Sequence, residues 1–387
     1  MPSDSDWAKH FSLPRDGFDS SWLDAVVVTQ GQAMASMLVR DHGVDLAAAS
    51  KGLVDFIELW TTAPETFENL WGPCLGQLQS VRELGRPSPV EAAVQLATRL
   101  TEVGRPGSWA ADLPSAPLRL GPWLMEAVRV EVSGDERRVL VRTPDGAVGS
   151  AWWDPASGGW DARGAQRLTA VGIGRDVLLL PEHGIPYGDG GDVFGGVRPL
   201  ASVGPPVVES IDEAFGILAA SSPEYLEWVE RVLRHLVVCA PKPGFRVVSG
   251  SNLHAPGTVH LCHPLTPTEI AEVLVHECAH QYFYILARVG PVDDGSDGRL
   301  YWSPPVRKER PLSRVLMAYH ALANVRLFYE AVRVGGGPGE AYVEENRPAL
   351  TEAIRLLDEP LRGNRALTPL GRALYEPLAE RLALLGG

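Results

Sequence analysis

The chain has few cysteines and no pairing among them, no basic-then-apolar start, no long apolar run and a shortage of positive charge. Cys74, Cys239, Cys262 and Cys278 show no CxxC spacing, so neither a disulfide framework nor a cysteine-rich metal site is expected, and reduced, mostly buried thiols are the default. Residues 1–6 read Met-Pro-Ser-Asp-Ser-Asp, polar and acidic where a secretory signal would be basic and then apolar, which makes a cytoplasmic protein the expectation. No apolar run approaches bilayer length, so no membrane association is expected. With 35 Lys and Arg against 48 Asp and Glu, the net charge is −13. This argues against nucleic acid as a partner, because phosphate binding is dominated by Lys and Arg.

What is present is enough for a sizeable core: 387 residues, of which 45% are hydrophobic. Apolar periodicity in 22–38, 46–59 and 90–100 predicts helices in the first hundred residues. Residues 104–117, rich in Gly, Pro and Ser, read as a linker, and 127–132 and 138–142 alternate apolar with polar as strands do. Trp152, Trp153 and Trp160 fall in this β region, where aromatic clusters are more often core than binding surface. A Gly-rich connection at 187–206 has the composition of a flap. Helices at 211–220 and 224–237, a strand at 245–248 and two terminal helices ending near 385 complete the pattern. The expected fold class is α+β, with a helical N-terminal region (1–113), a small antiparallel β region with the Gly-rich connection (114–206) and a mainly helical, metal-binding C-terminal domain (207–387).

The informative feature is His276-Glu277-Cys278-Ala279-His280, an HExxH pattern inside the apolar stretch 270–287. Positions i and i+4 of an α-helix lie one above the other, so the two imidazoles would face one shared metal ion. Thr266-Pro267-Thr268-Glu269 supplies the start of that helix: an N-cap threonine, a proline at the first helical position and a glutamate that closes a capping box. Apolar residues surround the helix on all sides, which describes a buried element. Two histidines and a glutamate buried there would be costly without a metal or hydrogen-bonding partners.

A third ligand is needed. The long form HExxHxxGxxH would place Gly at 283 and His at 286, where this chain has Phe283 and Leu286. Between residues 281 and 307 the carboxylates are confined to Asp293, Asp294 and Asp297 in a Gly-rich loop. His320, on the helical stretch 311–334, is the best-placed candidate, with His260 and His263 on the strand-like segment before the motif as competitors or as groups facing a substrate.

Three pieces in this order resemble the HExxH-type peptide β-hydroxylases of peptide natural-product biosynthesis: Gly257-Thr258-Val259-His260-Leu261, the block Leu274 to Gln281, and Tyr301-Trp302-Ser303-Pro304 leading to Arg310-Pro311-Leu312 and His320. The resemblance covers about residues 245–335. It implies a zincin-like core, Fe(II) held by His276, His280 and His320, α-ketoglutarate as co-substrate, O2 as oxidant, and hydroxylation of a side chain, at its β-carbon, in a ribosomally made precursor peptide. A guanidinium suits the distal carboxylate of the keto acid; Arg310 is the first candidate and Arg307 the second. Where the family shows Ser-Pro-Trp-Arg, this chain has Ser303-Pro304-Pro305-Val306.

Glu277 separates two chemistries. In a zinc-dependent peptidase, the alternative reading, it would be the general base acting on metal-bound water. In an oxygenase it would support the metal from outside its ligand set or join it as a further carboxylate.

Overall fold

The computed structural model describes residues 6–14, 21–63, 66, 70–135, 137–185, 197–241, 243, 249–337 and 339–385. The expected strand at 245–248 and the first half of the Gly-rich connection, 187–196, lie outside them. The described chain is α+β.

The N-terminal region is helical: α1 (Ser21–Ala49), α2 (Leu53–Thr61), α3 (Pro73–Leu84) and α4 (Pro89–Glu102). The apolar period expected to run through 46–59 is broken at Gly52, whose φ of 76° ends one helix and starts the next around the short strand β1 (Ser50–Lys51). The expected linker 104–117 is shorter than its composition suggests, because β2 (Trp109–Leu120) already begins within it. Alternating burial along β2 explains the difference: Ala111, Leu113, Ala116 and Leu118 turn inward while prolines and a serine face out.

An antiparallel sheet follows in the order β1, β2, β3 (Trp123–Ser133), β4 (Arg138–Arg142), β5 (Val148–Asp154) and β6 (Gly159–Arg163), with β7 (Gln166–Arg167) paired to β3. The tryptophans serve packing here. Trp160 is buried, sits edge-on to Trp153 at 6.2 Å and donates its indole N–H to the carbonyl of Glu102, and Arg137 stacks over Trp153 at 4.0 Å.

A second, mixed sheet positions the motif. Its strands are β8 (Ala170–Val171), β9 (Val177–Leu179), β10 (Val197–Pro199), β11 (His235–Pro241), β12 (Ser249–Ser251) and β13 (Thr258–Cys262). The order is β12, β13, β11, β9, β8, with β10 beside β11. Residues 235–237, expected to extend a helix, instead open β11, and the preceding helix α6 (Pro223–Val232) stops before them, following α5 (Pro205–Ser221).

Strand periodicity gives this sheet two distinct faces. Leu236, Val238, Val259 and Leu261 belong to the main core, whereas Val237, Cys239 and Cys262 join a smaller apolar cluster on the other side. The first face carries α7 (Pro267–Ala287), the motif helix, which also packs against α5, α6 and α8 (Leu312–Gly335). Beyond it lie the hairpin β14 (Tyr301–Ser303) and β15 (Lys308–Arg310), then α9 (Glu340–Leu361) and α10 (Pro369–Ala383). One core runs from Ala8 to Leu378, and the boundary expected at 113/114 falls within β2. Among the described residues, no helix is long and apolar enough to cross a membrane.

Candidate metal centre

The motif helix begins as its sequence dictates. Thr266 Oγ1 accepts from the Glu269 amide at 3.4 Å, and the Glu269 carboxylate accepts from the Thr266 amide at 2.7 Å, closing the capping box. Such a cap contributes about 1 kcal/mol. Below it, Trp228 stacks on Tyr282 at 4.3 Å, and the Tyr282 hydroxyl donates to the Trp228 carbonyl at 3.0 Å. These contacts fix the rotation of α7, and with it the direction of the histidines.

His276 and His280 come together as their spacing requires, with ring centroids 4.7 Å apart and planes at 86°. One turn further, Tyr284 stands 6.3 Å from His280. The three rings form a column on one side of the helix. Burial, with help from His276, pushes the His280 imidazole down to about 3, so both of its nitrogens cannot be protonated at neutral pH and one lone pair is available. Its Nδ1 is buried without a hydrogen bond. Burial likewise pushes the Tyr284 phenol up to about 12.

Glu277 reaches β12. It is buried, and its two oxygens accept from Ser249 Oγ at 2.7 Å and Ser251 Oγ at 2.8 Å, both on β12. Burial works against its charge, but His276, His280 and the two hydroxyls outweigh it and hold the carboxyl below the usual range. Ser249 and Ser251 are functional candidates that the sequence reading missed. A Ser-x-Ser pair directs two hydroxyls to one side if the segment is a strand, but Ser-Gly-Ser has none of the apolar alternation that announces one.

His320 is fully buried on α8. Carbonyls can only accept, so its Nε2 donates to those of Phe11 at 3.0 Å and Ser12 at 2.9 Å. Burial lowers its pKa to about 4, with the backbone oxygens of Phe11, Ser12 and Ala279 pulling the other way. The neutral ring therefore carries its proton on Nε2 and its lone pair on Nδ1, which has no hydrogen bond. That is the state a metal-binding histidine is held in by a backbone carbonyl. Nevertheless, among the described residues no group of three or more His, Cys, Asp or Glu side chains is gathered to hold a metal ion. The residues present fit two of the three protein donors, His276 and His280.

The remaining expected site residues divide. His260 pairs with Gly250 across β13 and β12, and strand alternation puts it on the sheet face opposite Ser249, Ser251 and the motif helix. A Cβ at Gly250 would lie 2.3 Å from the His260 ring, so the glycine makes room for it. His263 lies just past β13, partly buried, its amide bonded to the carbonyl of Cys239. The strand 258–261 was a candidate to pair with an extended peptide, but β13 is internal, flanked by β12 and β11; among the described strands the sheet ends at β12 and at β8, and β12 is the end next to β13.

Arg310 ends β15, partly buried, and its pKa is lowered by burial and then by Arg314. Both arginines act on Tyr284, and Arg314 also acts on His280. Among the described residues, neither guanidinium pairs with a carboxylate. Arg307 is exposed in the turn between β14 and β15, at φ 49°. Beside Tyr284 and Arg314 a groove of about 940 Å³ opens between α1, α3 and the end of α7, with Met34, Met37 and Phe283 on its walls; neither motif histidine lines it.

No protein-family model matches the chain, and no curated protein matches it.

Proposed function

We propose that the chain is a non-haem iron oxygenase that uses α-ketoglutarate and O2 to hydroxylate a side chain of a peptide, on a zincin-like core. The observation that carries this reading is the engagement of Glu277 by Ser249 and Ser251. A peptidase needs that carboxylate to take a proton from water beside the metal; here each of its oxygens already accepts a serine hydroxyl from β12. A buried, ionised carboxylate suits a different task, offsetting the charge of a cation held by its neighbours.

In this reading His276 and His280 hold Fe(II), with His320 Nδ1 as the third donor implied by the resemblance. Iron with the keto acid and O2 would supply an oxidant that puts one oxygen atom on a C–H carbon and the other into succinate, releasing CO2. The chain's own groups would do the rest. Arg310 and Arg314, which pair with no carboxylate among the described residues, suit an incoming dicarboxylate, and Arg310 keeps its place as first candidate for the distal carboxylate. Tyr284 stays protonated and can donate a hydrogen bond beside His280. The free edge of β12 offers backbone groups to an extended peptide, such as a precursor peptide, and the Met-lined groove offers it an adaptable apolar bed.

The test is release of succinate from α-ketoglutarate by the Fe(II)-loaded protein in air. It should vanish in His276→Ala and His280→Ala and persist in Glu277→Gln. Zinc-dependent peptide cleavage abolished by Glu277→Gln would overturn the reading in favour of a peptidase.

A further inference from the structure

On the opposite side of the mixed sheet from the motif helix lies a cavity of about 210 Å³, walled by β2, β9, β11 and the ends of α3 and α4. Its space is about seven times the share of one liquid water, roughly 30 Å³, which admits a small ion and its hydrogen-bonding groups but no large ligand.

The lining is unusual for a chain of net charge −13. Three guanidiniums, Arg99, Arg119 and Arg234, line it with two carboxylates, Glu102 and Asp176. Asp176 is exposed, whereas the Glu102 side chain is 9% exposed. Glu102 accepts from Arg99, from Arg119 at 3.1 Å and from the Gly121 amide at 2.8 Å. Burial pushes its carboxyl up, but Arg119 and Arg99 outweigh this and keep it below the usual range. The cavity thus already stabilises one buried anion, and the inner lining still carries more positive than negative charge.

Two further features turn this from an ion pair into a cradle. The N-terminus of α3 lines the cavity at Gly72, Pro73 and Cys74, and no side chain caps it, so its partial positive charge faces the same space. Independently, His235 lines the cavity from β11 at 2% exposure, and its Nδ1 is buried with no hydrogen bond. Arg119, Arg234 and Arg99 all bear on that ring. Buried polar atoms in native interiors are normally hydrogen-bonded, and a water or an ion can supply the missing partner.

We propose that this cavity binds one small oxyanion, of phosphate or short dicarboxylate chemistry, between the three guanidiniums, His235 and the start of α3. The site stands apart from the motif helix and does not depend on the oxygenase reading.

The test is isothermal titration of the full chain with inorganic phosphate and, separately, with succinate, chloride being withdrawn to keep ionic strength constant. Saturable one-to-one binding that depends on the cavity arginines is expected for either anion, and the one that shows it names the source; if both show it, they must compete. Arg119→Gln should weaken the binding at least tenfold. Should that variant fail to fold, Arg234→Gln, which removes donors to the Glu230 and Leu233 carbonyls, should weaken it similarly. Arg310→Ala should leave it unchanged. Saturation by neither anion, affinity unchanged in the cavity variants, or loss of phosphate binding in Arg310→Ala would overturn the proposal.

Discussion

The two faces of the mixed sheet each hold a buried, ionised glutamate, and they hold it in different ways. Glu102 is held by two permanent cations and a backbone amide, so its charge is balanced by the protein alone. Glu277 is held by two serine hydroxyls and two histidines, one of which burial keeps neutral. Hydroxyls stabilise a carboxylate without cancelling its charge. The first face is therefore electrostatically complete in its carboxylate and rich in cations, while the second is short of a cation beside His276 and His280. The comparison teaches that an anion would suit the cavity, and that a cation is what the proposed metal centre would add to the motif helix.

The sharpest way to break this contrast is to remove a motif histidine. His276→Ala or His280→Ala should weaken Fe(II) binding more than about 100-fold, since even the supporting partners of metal ligands are worth 10–100-fold. Metal analysis after dialysis would read this, and full retention of iron would break the assignment. Next, Glu102→Gln leaves two arginines without their buried partner and should cost about 3 kcal/mol in urea unfolding. Glu277→Gln in metal-free protein should cost only about 1–2 kcal/mol, because it loses hydroxyl bonds and no permanent countercharge. Equal losses would erase the distinction.

The acid limb sharpens it further. Glu102 is depressed in the folded state, so the unfolded chain binds its proton first as pH falls; the stability it contributes is present above the ordinary carboxylate range and is lost as pH drops through the lower, folded value. Glu102→Gln should flatten that part of the pH–stability curve. His235, held well below the usual imidazole range by burial and by Arg119, adds a loss that starts earlier, as pH falls past the ordinary value of 6.5. The smallest effect is expected at Arg310→Ala, which should raise the α-ketoglutarate requirement about tenfold through a lost charge-assisted bond, with little change in stability.

The motif helix was legible because everything that defines it is local: the capping box spans 266–269 and the histidines are one turn apart. Strands β3 and β4 were legible from alternation. What the sequence concealed is non-local. His235 sits after a helical period that continues to 237, and only its pairing with Leu178 and Thr258 makes it a strand residue. Arg99 and Glu102 are neighbours on one helix, but Arg119 and Arg234 arrive from distant strands and loops. His260 was correctly placed on a strand near the motif, yet which face it takes depends on a register fixed by β12. Likewise, the partners of His320 come from residues 11 and 12, some three hundred positions away.

The most direct test of the central claim needs no peptide. Metal-free protein is loaded with Fe(II) without oxygen, α-ketoglutarate is added, and the visible spectrum is recorded. The account predicts a weak charge-transfer band from the chelated keto acid, absent in His280→Ala and requiring more keto acid in Arg310→Ala. No band, in protein that carries tightly bound zinc as purified, would contradict it.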